Sequence, residues 1–313
     1  MSVEPVNPQS IFLAADLLAN GKLVAFPTET VYGLGADAAN DMAVASIFEA
    51  KGRPQFNPLI AHIADFSWVE KFAVMSPNAK LLAERFWPGP LTMVMKRTEN
   101  CPVSHLVSAG LDTVGVRFPV HPAARKMLEA FGKPVAAPSA NISGTVSPTT
   151  AQHVAQSLND RVPLILDGGS CEVGVESTIL DVSDDNPALL RAGGVGVEEI
   201  EEVLKRPLRR PESDADAPRS PGQLLSHYAP RLPVRLNALE PEEGEAFLAF
   251  GRADGATLNL SPSGDLKEAA AHLFAYMRLL DDEKYKGIAV MPVPTYGLGL
   301  AINDRLKRAA YPH

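Results

Sequence analysis

Long apolar runs are missing from this 313-residue sequence, and none approaches the roughly 20 residues a membrane helix needs. Cysteine is nearly absent. Cys101 and Cys171 are too few for a disulfide framework and lack metal-ligand spacing, which fits a reducing compartment. Positive charge is in deficit, with 29 Lys+Arg against 37 Asp+Glu and a net charge of −8, so bulk attraction to nucleic acid is not expected. Several motifs are missing too. There is no G-x-x-x-x-G-K-[ST] phosphate loop, no G-x-G-x-x-G after the first strand, no HExxH helix and no G-x-S-x-G nucleophile elbow. Gly297-Leu298-Gly299 opens a helix but lacks the remaining glycine of a dinucleotide fingerprint. Any nucleotide chemistry must rely on side-chain cations.

What is present is ordinary for a globular chain: 46% hydrophobic and 21% charged residues. The length favours two domains. The 27 Pro and 23 Gly are scattered without period, so they do not signal a fibrous protein. The N-terminal MSVEPVNP has no basic leader, so a signal peptide is not expected and a cytoplasmic location is.

The clearest break is RPLRRPESDADAPRSP at 206–221, Pro-rich and charged with no apolar period. It divides the chain into a first domain over 1–205, a linker over 206–231 and a second domain over 232–313. In the first domain the pattern predicts helices at 11–19, 43–50, 77–86, 121–131 and 197–205. Strands are predicted at 23–26, 59–63, 91–95, 114–117, 135–136, 164–167, 178–182 and 189–190. That order implies an α/β sheet with both parallel and antiparallel pairs. In the second domain, strands at 234–236, 246–250, 257–260 and 288–291 and helices at 266–280 and 298–309 imply a small parallel α/β layer.

Three polar, Gly/Pro-rich segments sit where strands end, the usual ligand position in α/β proteins. The first, FPTETVYGLG at 26–35, offers threonine hydroxyls and glycines that permit close backbone approach, although a simple turn would use the same residues. The second, KGRPQFNPL at 51–59, holds Lys51 and Arg53 in a loop stiffened by two prolines. A helix C-terminus attracts a cation such as Lys51, yet a stiff loop carrying both cations suits polyphosphate. The third, AAPSANISG at 136–144, presents small hydroxyls and an amide that also make ordinary turns. His62, inside an apolar strand, reads by itself as a core histidine. Thr113, Arg117, Ser177 and Arg191 are further polar groups at strand ends.

Taken in order, FPTETVYGLGADA, KGRPQFNPLI, WPGPLT, VGVRFPVHP, APSANISG, STILD and LLRAGG resemble the YrdC-type domain of threonylcarbamoyl-AMP synthases over residues 10–205. Ser220-Pro221-Gly222 and His227-Tyr228-Ala229-Pro230 resemble the two-domain form, which adds a small Rossmann-like α/β domain. The resemblance implies a YrdC-type twisted mixed sheet with helices. It also implies a nucleotidyltransferase that makes L-threonylcarbamoyl-adenylate and pyrophosphate from L-threonine, bicarbonate and ATP. That product serves the threonylcarbamoyl modification of the adenosine beside the anticodon in tRNAs reading A-starting codons. The family's threonine pocket falls on Thr30, His62, Arg117, Ala137 and Ser177. Its ATP contacts fall on Arg53, Asn57, Thr113 and Ser139, and further along on Asn141, Ser147, Arg191 and Tyr228. Lys51 and Arg53 are the expected catalytic cations, with Mg²⁺ arriving with ATP and no dedicated metal site. The product would pass to a tRNA threonylcarbamoyl-transferring complex, with direct tRNA contact not required and no membrane involved. Many two-domain relatives carry a Lys or Arg where this chain has Gln223-Leu224-Leu225-Ser226.

Two alternatives stand beside this. A non-catalytic RNA- or nucleotide-binding regulatory protein of the same fold is one, and the net charge of −8 weighs against RNA. The related carbamoyltransferase of hydrogenase maturation is the other, and it carries Cys-rich zinc segments that two isolated cysteines cannot supply.

Overall fold

The computed structural model describes residues 1–211, 220–221 and 227–311. The first domain is built on ten strands: β1 (Ser2–Pro5), β2 (Val24–Phe26), β3 (Gly33–Asp37), β4 (Ile60–His62), β5 (Leu91–Lys96), β6 (Thr113–Arg117), β7 (Val135–Ala136), β8 (Leu164–Asp167), β9 (Thr178–Asp181) and β10 (Ala188–Arg191). They form one mixed sheet in the order β1-β8-β2-β3-β7-β4-β6-β5-β9-β10. Helices α1 (Pro8–Ala19), α2 (Asp41–Lys51), α3 (Pro77–Phe86), α4 (Pro122–Phe131), α5 (Ala151–Leu158) and α6 (Val197–Leu204) cover it.

Alternation along the strands decides which face each residue serves. Val24, Phe26, Val135, Leu164 and Leu166 pack with α1 and α4, whereas Ala25, Ala136 and Ile165 join the larger core under α2, α3, α5 and α6. Local signals set the helix ends. Asn40 accepts from the N–H groups of Met42 and Ala43 to start α2, and Gly52, at φ +59°, stops it. Pro122 follows the capping His121 at the start of α4.

The α1/α4 face is covered only along part of the sheet. Farther along, His62 of β4 lies beside Arg117 of β6, and Arg117 beside Thr92 of β5. Ile179 of β9 completes the row next to Thr92. These side chains face away from the larger core, and this stretch is where the site forms.

The second domain has strands β11 (Val234–Leu236), β12 (Glu245–Ala249), β13 (Leu258–Asn259) and β14 (Gly287–Val290), all paired in parallel in the order β11-β14-β12-β13. Helices α7 (Leu266–Leu280) and α8 (Leu298–Ala309) pack on one face of this small sheet. Val31, Val146 and Val175 of the first domain belong to the same apolar cluster as these helices, so the two units share a core. Among the described residues no helix is long and apolar enough to cross a membrane.

Gly174 marks a close backbone approach between them. Its φ is +73°, and a Cβ there would stand 2.3 Å from the Ala270 carbonyl oxygen of α7. By contrast Gly255, at φ +70°, meets nothing. Gly174→Ala should therefore lower the melting temperature well beyond Gly255→Ala, whose cost is the left-handed backbone alone, about 1–2 kcal/mol. Equal melting shifts for the two variants would show that the domains do not meet as closely as described.

Candidate active site

Strand ends bring the polar segments together around one cavity. Thr28, Val31 and Gly33 line one side, Arg53, Ile60 and His62 another. Arg117, Ala137, Ser139, Ser177 and Arg191 complete the wall within the first domain, and Glu176 joins them. Pro221, His227 and Tyr228 of the linker close over it.

The threonine-pocket candidates differ in what they do. His62 Nδ1 lies 3.2 Å from the Ile60 carbonyl oxygen. Burial, with the nearby Arg117 adding to it, pushes the imidazole down to about 3, so it is neutral at pH 7. Arg117 donates through Nη2 to Glu29 Oε1 at 2.7 Å, with both side chains buried. Arg117 Nε and Glu29 Oε2 are buried without a partner. Ser177 shares a 2.7 Å hydroxyl contact with Thr92. Thr30 sits just behind the wall, its hydroxyl 2.8 Å from that of Thr28, and the Ala137 N–H donates to Ile60.

The cations form a second group, held mostly by carbonyl oxygens. Arg53 donates to the carbonyls of Asn57 and Pro58, at 3.3 and 2.9 Å. Burial pushes its pKa down to about 10. Arg191 donates to the Ser177 carbonyl at 2.9 Å and to Pro221 at 3.3 Å. The structure gives Lys51 a different place from the one expected of a catalytic cation facing substrate. Its ammonium donates to the carbonyls of Ser139 and Asn141 and is not part of the cavity wall. A fully buried ammonium must find oxygen partners, and the APSAN loop supplies them. Burial, with Arg53 nearby, holds its pKa well below the usual lysine value.

The remaining ATP candidates are not all on the wall. Asn57 is fully buried with neither side-chain atom partnered, and Asn141 Oδ1 likewise lacks a partner. Thr113 lines a smaller adjoining cavity together with Thr92 and Pro221. Ser147 lies behind the wall and donates to Glu176 at 2.6 Å. Tyr228 is buried at φ +62°, stacks on Phe274 of α7 at 5.5 Å, and has the Arg305 guanidinium 5.3 Å over its ring. It both faces the cavity and anchors the second domain. Gln223 to Ser226 lie outside the described residues.

Sequence reasoning missed Glu176, Glu29, His227 and Arg305. Glu176 stands directly before STILD, and its carboxylate was hidden by the motif beside it. Arg305 carried a usable signal, because it occupies the apolar stripe of α8 between Ala301, Ile302, Leu306 and Ala309. Among the described residues no group of three or more His, Cys, Asp or Glu is placed to hold a metal ion. Both carboxylates at the cavity, Glu29 and Glu176, are already engaged by arginines.

A family model described as "Telomere recombination" matches residues 16–193, and one described as "Threonylcarbamoyl-AMP synthase, C-terminal domain" matches 195–311. The chain belongs to the threonylcarbamoyl-AMP synthase family. A member from Pyrococcus abyssi is 42% identical across 98% of this chain and 96% of its own. One from Bacillus subtilis is 43% identical across 97% and 94%. The crystal structure of P. abyssi Sua5 complexed with L-threonine superposes with a TM-score of 0.91 at 40% identity, over 99% of this chain and 98% of that one.

The buried imidazole of this family site makes a prediction about acid. Unfolded, His62 takes its proton near 6.5; folded, near 3. The folded state therefore binds fewer protons below 6.5, and stability is lost as pH falls from there toward 3, by up to about 1.4 kcal/mol per pH unit. Above pH 6.5 the group contributes no pH dependence. The stability difference between the wild type and His62→Gln should be level at pH 7–8 and should shift toward the variant below 6.5. A difference that stays level down to pH 4.5 would show a solvated histidine.

Proposed function

We propose that the chain condenses L-threonine, bicarbonate and ATP into L-threonylcarbamoyl-AMP, releasing pyrophosphate. The observation that carries this reading is a single cavity with two unlike halves. One half holds a neutral histidine beside an arginine, and the other holds buried guanidiniums tied to carbonyl oxygens. Family membership across nearly the whole chain supports the same assignment.

In this reading Arg117 holds the threonine carboxylate, and Ser177, Thr30, His62 and the backbone at Ala137 hold the rest. A neutral His62 keeps positive charge away from the amine, which must be unprotonated to react. The amine attacks bicarbonate, forming a C–N bond and losing water, to give the carbamate. A carbamate oxygen then attacks the α-phosphorus of ATP in line, and pyrophosphate leaves. No covalent enzyme intermediate is needed, so the chain's work is positioning and charge neutralisation.

Arg53 and Arg191 supply that charge, with Asn57, Thr113, Ser139, Asn141, Ser147 and Tyr228 shaping the nucleotide side. Lys51 acts through the loop it ties down, by its contacts with the Ser139 and Asn141 carbonyls. Mg²⁺ enters as part of the substrate MgATP, and the residues present offer it no cage of their own. The product passes in the cytoplasm to a tRNA threonylcarbamoyl-transferring partner, and tRNA need not touch this chain.

Pyrophosphate release should need threonine, bicarbonate and ATP together, and carbon-13 from labelled bicarbonate should appear in the adenylate. Undiminished release after rigorous removal of bicarbonate would overturn the carbamate route.

A further inference from the structure

One side chain of the second domain reaches the wall of the site. Arg305, on α8, is 1% exposed although it is charged. Its Nε donates to Glu176 Oε2 at 3.0 Å, and Nη1 donates to the Ala192 carbonyl at 2.7 Å. Nη1 also meets Asp304 at 2.9 Å, and the guanidinium lies over the Tyr228 ring. Burying a guanidinium is costly unless it is paired and hydrogen-bonded, and among the described residues its one buried carboxylate partner belongs to the other domain.

What Arg305 touches is the nucleotide side of the site. Glu176 lines the cavity, accepts from Ser147 through its other oxygen, and immediately precedes Ser177. Ala192 follows Arg191. Gly193 is packed so tightly on this segment that a Cβ would stand 2.3 Å from the Glu176 carbonyl oxygen. Segments 176–178 and 191–193 therefore move together, and Arg305 bonds to both. Arg191, lying across them, takes its aim from the same frame, since it donates to the Ser177 carbonyl.

We infer that Arg305 is a positioning residue for ATP binding, through which the second domain sets the geometry of Glu176, Ser147 and Arg191. This rests on the synthase reading and extends it: the C-terminal domain completes the nucleotide half of the site. The threonine half is centred on Arg117 and Glu29 in the first domain, which Arg305 does not contact, and it meets the Arg305 frame only at Ser177.

The test uses the full chain with Arg305→Lys, Arg305→Met and the Glu176→Gln/Arg305→Met pair. ATP binding is titrated calorimetrically without threonine, threonine binding is titrated without ATP, and melting is followed alongside. Arg305→Met should weaken ATP by about tenfold or more, equivalent to ~1.4 kcal/mol, and threonine by less than about threefold. Arg305→Lys, which keeps the charge but loses the fork, should fall between. The paired variant leaves neither partner charged and buried alone, so it should recover melting temperature while ATP affinity stays low. A purely structural ion pair predicts that both recover together, and that result overturns the inference. So does unchanged ATP affinity in Arg305→Met. If Arg305→Met does not fold, Arg305→Lys and the paired variant decide by the same comparison. A wild type that binds ATP but releases no pyrophosphate with threonine and bicarbonate removes the synthase reading and leaves the ATP comparison standing.

Discussion

The site depends on keeping buried cations charged without neutralising them. Lys51, Arg53, Arg117, Arg191 and Arg305 are all at most 7% exposed, yet among the described residues only Glu29 and Glu176 are buried carboxylates in ion pairs with any of them. Carbonyl oxygens do most of the holding: two for Lys51, two for Arg53, and those of Ser177 and Pro221 for Arg191. A carbonyl dipole orients a cation and offsets part of its desolvation, but leaves the net charge in place. In a chain with net charge −8, positive potential is thus concentrated at one internal point. A polyanion with several phosphates satisfies that arrangement, and a neutral ligand does not.

Glu176 works against that excess at one position only. Burial alone would raise its pKa, but Arg305 and Arg191, with the Ser147 hydroxyl, outweigh it and hold the carboxyl below the usual glutamate value. Remaining ionised, it fixes Ser147 through one oxygen and Arg305 through the other. The tight backbone packing at Gly193 and Gly174 carries this order outward, to β10 in one direction and to α7 in the other. Interdomain contacts in many chains are polar and mobile. Here a shared apolar cluster and a buried ion pair make them rigid.

Much of this was legible from residues alone, and the exceptions have physical causes. The helices at 77–86, 266–280 and 298–309 match Pro77–Phe86, Leu266–Leu280 and Leu298–Ala309 because apolar period and caps agree there. β3 (Gly33–Asp37) falls where the sequence suits a simple turn as well as a close backbone approach, since both use glycines. In the fold they are small because a Cβ at Gly35 would sit 2.8 Å from Val135 and 2.9 Å from the Phe26 ring. β1 (Ser2–Pro5) has no apolar run of its own and exists through its pairing with β8, a partner some 160 residues away. α5 (Ala151–Leu158) starts from a cap at Thr150 and buries Ala151, Val154 and Leu158 at helical spacing, but it spans only about two turns. Lys51 and Arg53 looked equivalent on the page, one residue apart. Only the fold separates the one that braces a loop from the one that faces the cavity.

The same separation explains why the two halves of the site are built differently. In the proposed reading the threonine half must exclude charge from an amine that reacts unprotonated, which a histidine kept neutral by burial and an arginine already leaning on Glu29 would allow. Both sit on adjacent strands of one sheet, where register fixes their spacing without help from elsewhere. The nucleotide half must accept a large anion and let a smaller one leave, which a fully preformed pocket within one domain would hinder. Its wall is accordingly assembled from loops and from the linker residues Pro221, His227 and Tyr228, with Arg305 of the second domain bracing Glu176. Tyr228 ties those parts together, one face to the cavity and the ring stacked on Phe274, which holds linker and second domain against the site. A mixed anhydride formed there would be shielded from water by the contacts that bind its adenylate.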